Sequence, residues 1–160
     1  MKEQLKELLE MQRVLDENIM KEHGFVYDEH IANNMRIALI VEVGELMNEF
    51  PTKFKHWKKL AVDNREKGLI EYVDCLHFIL SLINYYDCDI DFIKEYDDCN
   101  TLKKYPMTIA DCLDFICSFT RYSIIMLFHL GNYLGLTWPE IYQAYKAKNA
   151  VNYERLKENY

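Results

Sequence analysis

Two segments of this chain hold acids where acids are costly. Ile37–Phe50 reads IALIVEVGELMNEF; nine of its 14 residues are apolar and its only charges are Glu42, Glu45 and Glu49. Wound as a helix at ~100° per residue, the three glutamates share about 60° of one face. Leu69–Ile83, LIEYVDCLHFILSLI, carries Glu71 and Asp74 three residues apart, with His77 one turn further on. A solvated helix face mixes signs, yet neither segment contains Lys or Arg. Carboxylates grouped this way repel one another and resist desolvation. Three resolutions are open: protonation, pairing with cations from elsewhere in the chain, or a bound metal. Four or five oxygens converging from two helices suit a hard cation such as magnesium. The plainer alternative is a rim of exposed glutamates. Di-iron chemistry needs Glu-x-x-His on paired helices, and no histidine here has a glutamate three residues before it; Asp74-x-x-His77 is the nearest approach.

Two further groups of residues suit phosphate and base. Near the C-terminus Lys148, Asn152 and Arg155 also share about 60° of one helix face, with Tyr145 beside them. A cation, an amide and a guanidinium on one face suit phosphate oxygens, although a solvated helix end reads similarly. Trp57 sits among Lys53, Lys55, His56, Lys58 and Lys59. A Trp in a basic loop can stack on a base while Lys58 and its neighbours meet phosphate; it can equally plug one end of a helical bundle.

The elements that must position these groups are helices. Leu5, Leu8, Leu9, Met11, Leu15 and Ile19 keep helical spacing, and Gly24 follows as a stop. A second helix is expected from about His30 to Phe50, closed by Pro51, and a third from about Glu66 to Tyr86. Between them Thr52–Lys67 reads as a loop or short helix, and Asn100–Pro106 as a loop. Thr108 with Asp111 forms a capping box opening one long apolar helix that ends near Gly131–Gly135. That helix, apolar nearly all round, must lie inside the bundle or against a second subunit. Thr137 and Pro139 start a last helix running to about Lys157. The expected fold is all-α, one domain over residues 1–160, a bundle of about five helices. Five Gly and three Pro are too few for a many-turned sandwich or barrel.

Composition narrows the function. With 26 Asp+Glu against 19 Lys+Arg the net charge is −7, which argues against a protein that tracks a nucleic-acid polymer. Small phosphate compounds stay open if cations mediate. The longest apolar stretch, Ser123–Trp138, is interrupted by His129, Gly131 and Asn132 and is too short for a membrane span. The five cysteines form no C-x-x-C, and the charged N-terminus is no signal peptide; a soluble protein with reduced thiols, in the cytoplasm, is expected.

Glu42-x-x-Glu45, 25 intervening residues, then Glu71-x-x-Asp74 resembles the signature of the all-α nucleoside triphosphate pyrophosphatases, the superfamily of MazG-like enzymes and dimeric dUTPases. The dUTPase branch is the more similar. ELMNEFPTKFKHWKK (45–59) resembles its segment after the first metal motif, EYVDCLHF (71–78) its second metal motif, and YKAKNAVNYERLKENY (145–160) its K-N-x-x-N-x-x-R-x-x-x-G-Y ending, with Asn159 where Gly is usual. MQRVLDENI (11–19) resembles its L-Q-x-x-L-N.

The resemblance implies hydrolysis of dUTP to dUMP and pyrophosphate by a metal-activated water, in a homodimer, with two or more magnesium ions and manganese as a substitute. Carried over, the metal ligands are Glu42, Glu45, Glu71 and Asp74. Glu49 adds an outer contact, and Glu45, or Glu42, activates the water. Lys148, Asn152 and Arg155 meet phosphate, Tyr160 matches the family's terminal Tyr, and His77 matches a residue near the nucleoside. Where the family reads the pyrimidine with a Gln and an Asn, this chain has Gln12 and Asp16. An Asp still accepts from the N3–H of uracil, but it also accepts from the amino group of cytosine. A pyrophosphatase for dCTP or another modified nucleotide is therefore the second expectation, and a helical interaction module without catalysis the third.

Overall fold

The computed structural model describes residues 1–90, 107–120 and 122–158. Every regular element among them is helical. α1 spans Lys2–His23, α2 Glu29–Glu49, α3 Arg65–Tyr85, α4 Ile109–Cys117, α5 Ser123–Tyr133 and α6 Trp138–Lys157, with a single 3-10 turn at Pro51–Lys53. The caps explain the boundaries. Gly24, left-handed at φ 69°, closes α1; the Asp28 carboxylate accepts from Ile31 N–H at the start of α2, and Asn64 does the same for Lys67 in α3. Thr108–Asp111 and Thr137–Glu140 are both complete capping boxes. Among the described residues no helix is long and apolar enough to cross a membrane.

The expected single helix from Thr108 to Gly131–Gly135 is two helices, so six rather than about five are described. The break follows from side chains that compete for backbone groups. Ser123 Oγ donates to Phe115 O (2.9 Å) and accepts from Thr120 N–H (2.8 Å), while Thr120 Oγ1 takes the N–H of Tyr122. Phe119 turns to φ 39° at this corner. The break also divides the apolar surface: α5 is buried almost throughout, whereas α4 buries Cys112 and Ile116 and leaves Phe115 outside.

α3 is the centre of the bundle, packed against α1, α2, α5 and α6. Leu76, Ile79, Leu80 and Leu82 are fully buried on it, each worth roughly 1.5–3 kcal/mol relative to exposure. Two glycines let neighbours close on α3. Gly131 of α5 leaves room for Tyr72, whose hydroxyl donates to Leu127 O at 2.9 Å. Gly68 lies under the buried ring of Phe50, at the end of α2, where a Cβ would overlap the ring. The loop between α2 and α3 is tied at its base by Asn64 N–H to Glu49 O (2.8 Å) and by Thr52 to Asp63 (2.6 Å). The packing of α2 on α3, which sets the spacing of all five acids, therefore rests on a side chain of zero size at 68. Gly68→Ala is expected to lower stability by about 1–3 kcal/mol through overpacking, read as a lower Tm with retained helical circular dichroism; an unchanged Tm contradicts this packing.

Candidate functional site

The antiparallel pair α2 and α3 brings the acids of both segments to one place. Carboxylate oxygens of Glu42, Glu45 and Glu71 lie within 4.8 Å of one another. Burial, then the charges of Asp74, Glu45 and Glu71, push Glu42 up to about 7. Glu71 is raised as well, by burial first and then by Asp74 and Glu45. Asp74 is the member that a protein cation reaches: Lys148 Nζ of α6 donates to its Oδ2 at 2.6 Å, both side chains being mostly covered. Glu49 stands further along α2, close enough to add to the repulsion at Glu71. Of the three resolutions open in the sequence, internal pairing thus serves Asp74, while Glu42, Glu45 and Glu71 face one another with no ion pair among the described residues. An all-oxygen donor set that raises the pKa of its own members fits a hard divalent cation.

Beside this cluster is a cavity of about 320 Å³ between α1, α3 and α6, lined by Gln12, Asp16, Met35, His77, Ser81 and Arg155 among others. His77 is the link, one turn (~4.5 Å) along α3 from Asp74. Burial, with the charge of Lys148, drives its pKa down to about 3, so the ring is neutral. Gln12 Nε2 donates to Asp16 Oδ1 at 2.8 Å, which turns Gln12 Oε1 toward His77 Nδ1 and the Tyr145 hydroxyl, both at 2.7 Å. His77 therefore carries its proton on Nδ1 and leaves Nε2 as a buried acceptor with no partner. Tyr145, wholly buried, stacks on His77 with ring centroids 4.0 Å apart. Burial pushes Asp16 up to about 6.

The residues named from sequence fall into three groups. Glu42, Glu45, Glu71 and Asp74, with Glu49 at the edge, form the acidic cluster. Gln12, Asp16, His77, Asn152 and Arg155 line the cavity, and Lys148 stands between the two on α6. Tyr145 is nearby but spends its hydroxyl on Gln12 and offers no surface to a phosphate. Trp57 and Lys58 belong to the α2–α3 loop and do not line the cavity. Trp57 is 67% exposed, edge-on to His56 and Phe54, so it plugs nothing. Tyr160 and the Asn100–Pro106 loop lie outside the described residues. Three residues escaped the sequence reading. Asn149, buried with Nδ2 unpartnered, follows Lys148 directly in the K-N pair and was signalled by it. Ser81 is one turn beyond His77 on α3. Tyr27, in the irregular segment before α2, carried no periodic signal.

A family profile described as dUTPase matches residues 4–160. No curated protein matches the chain.

The raised pKa of Glu42 has a consequence for stability. Between its unfolded value near 4.5 and about 7 the folded chain binds the proton that the unfolded chain releases, so this group's contribution to stability falls as pH rises through that window. In metal-free protein Glu42→Gln is expected to raise Tm at pH 8 and to change it little at pH 4.5. Melts of both proteins at the two pH values check this; an equal difference at both contradicts the assignment.

Proposed function

The chain belongs to the dUTPase family and is by that membership a dUTP diphosphatase; from this premise we propose that the reaction is magnesium-dependent, that Glu42, Glu45, Glu71 and Asp74 hold the metal, and that uracil is the preferred base. The observation that carries the reading is the convergence of Glu42, Glu45 and Glu71 within 4.8 Å beside a cavity lined by Gln12 and Asp16. When bound, magnesium, two or more ions with manganese as a substitute, supplies positive charge to the phosphate oxygens. Glu45, the exposed member of the trio, orients the attacking water and takes its proton, and Glu42 is the other carboxylate within reach. Glu49 makes an outer contact.

The remaining residues divide the nucleotide between them. Lys148, Asn152 and Arg155 run along α6 from Asp74 to the cavity and bind phosphate oxygens; the ammonium of Lys148 has three donors, one of which Asp74 uses. Gln12 and Asp16 read the base, an N–H donor beside a carboxylate acceptor, which complements a carbonyl next to a ring N–H. The same pair can meet a ring nitrogen next to an amino group, so hydrolysis of dCTP is the second reading. The convergence of Glu42, Glu45 and Glu71, with Asp74 one turn from Glu71, supports a catalytic reading over a non-catalytic module. The net charge of −7 supports a small nucleotide partner rather than a nucleic-acid polymer. The free thiols Cys75, Cys88, Cys112 and Cys117 support a cytoplasmic home.

A homodimer is supported by α2, where Ile37, Ile40 and Val41, at 49–61% exposure, form an apolar stripe beside the acids. Sedimentation velocity at micromolar concentration is expected to give a species of twice the chain mass; a monomer contradicts it. In an assay of pyrophosphate release, dUTP is expected to turn over at least about tenfold more efficiently than dCTP or dTTP, a gap of about 1.4 kcal/mol, and chelator is expected to abolish release. Arg155→Ala in the same assay is expected to raise KM, lower kcat, or both. Equal efficiencies on dUTP and dCTP overturn the base assignment, and full activity in chelator overturns the metal.

A further inference from the structure

Asp16 is a carboxylate, 8% exposed, in the wall of the cavity. Polar side chains approach it from two sides. On one side Gln12 Nε2 donates to it at 2.8 Å, while Gln12 Oε1 lies 2.7 Å from both His77 Nδ1 and the Tyr145 hydroxyl. On the other side Ser81 lines the same cavity, near enough that its hydroxyl lowers the Asp16 pKa. Tyr27 OH lies 2.8 Å from Ser81 Oγ, so a Ser81 that turns its single proton to Asp16 takes a hydrogen bond from Tyr27 in exchange. Donors directed this way favour the ionised form of the carboxylate. A carboxylate accepts at about four positions, which leaves room for a ligand beside Gln12 and Ser81. The charged and titratable groups around it are Glu17, Arg13 and His23 of α1, Tyr27 before α2, His77 and Tyr85 of α3, and Tyr145 and Arg155 of α6. Arg13 bonds to Glu10 and Glu17 rather than to Asp16.

Resting on the reading of this cavity as the base site, we propose that Tyr27 and Ser81 on one side, and His77 and Tyr145 on the other, are positioning residues that hold Asp16 ionised as the acceptor for a ring N–H of the base, which makes base recognition proton-linked. The imide edge of uracil supplies that N–H. The ring nitrogen of cytosine carries no hydrogen and meets Asp16 favourably only when a proton lies between them, so the preference for uracil narrows as pH falls. Burial raises Asp16 to about 6, so the ionised acceptor is lost just below neutrality. The Ser81 hydroxyl opposes that rise, and its removal moves the loss to higher pH.

The test is calorimetric binding of 2′-deoxyuridine, a probe without a phosphate to titrate, from pH 5 to pH 8. Wild-type affinity is expected to be level above about pH 7 and to fall below pH 6, toward tenfold per pH unit. Asp16→Asn is expected to flatten the profile, which also separates Asp16 from the nearby His23. Ser81→Ala and Tyr27→Phe are expected to shift the fall to higher pH while changing affinity at pH 8 less than threefold, and Ser81→Thr to restore the wild-type profile; a merely structural role shifts affinity alike at every pH. If Asp16→Asn does not fold, Tyr27→Phe, which removes a single hydroxyl, decides alone. A flat wild-type profile, or an unmoved midpoint in both hydroxyl variants, overturns the proposal and leaves the base site standing. No binding of 2′-deoxyuridine at pH 8 overturns both.

Discussion

Repulsion among carboxylates that cannot separate is the constraint on which this molecule is organised. Glu42, Glu45 and Glu71 stay within 4.8 Å because α2 and α3 are locked together by an apolar interface, with Phe50 seated over Gly68 and the loop between the helices tied at its base. Burial of Leu39, Val43, Leu46, Leu76 and Leu80 works against that repulsion. The strain of like charges is thus maintained by the core, and it appears as a Glu42 that keeps its proton to about pH 7. A cation arriving there relieves repulsion and desolvation together, which is why a site can be both unfavourable when empty and selective when filled.

The third helix serves both halves of the site. Its acids face α2, its Asp74 meets Lys148 of α6, and one turn on His77 turns into the Gln12 network under α1 and α6. At the acidic end like charges are held together against their repulsion, with Lys148 pairing Asp74 alone. The cavity end is held by directed hydrogen bonds from Asp16 through Gln12 to His77 and Tyr145. A long helix that spans both keeps the distance between them constant, as the proposed placing of the triphosphate at one end and the base at the other requires.

Much of this was legible in the chain. Acids inside apolar helical runs marked Glu42, Glu45, Glu71 and Asp74, because period and burial are local properties that sequence displays. The capping boxes at Thr108 and Thr137 were legible for the same reason. The break in the Thr108–Gly135 run was not, since it depends on Ser123 and Thr120 choosing backbone partners across a corner instead of solvent. Trp57 illustrates another limit: its type suited a base partner or a plug on the bundle end equally, and which face a loop residue covers is settled by how the loop's base is tied; this one leaves the ring in solvent. Ser81 and Tyr27 were silent because their role comes from a contact 54 residues apart.

If the acidic cluster is the metal site we propose, its metal-free form retains a proton. Calorimetric titration of magnesium into nucleotide-free protein at pH 7, in two buffers of different ionisation enthalpy, measures it directly. With Glu42 titrating at about 7, the account predicts saturable binding with release of about half a proton per chain, falling toward zero at pH 8.5. Absence of binding, or binding at pH 7 with no proton released, contradicts it.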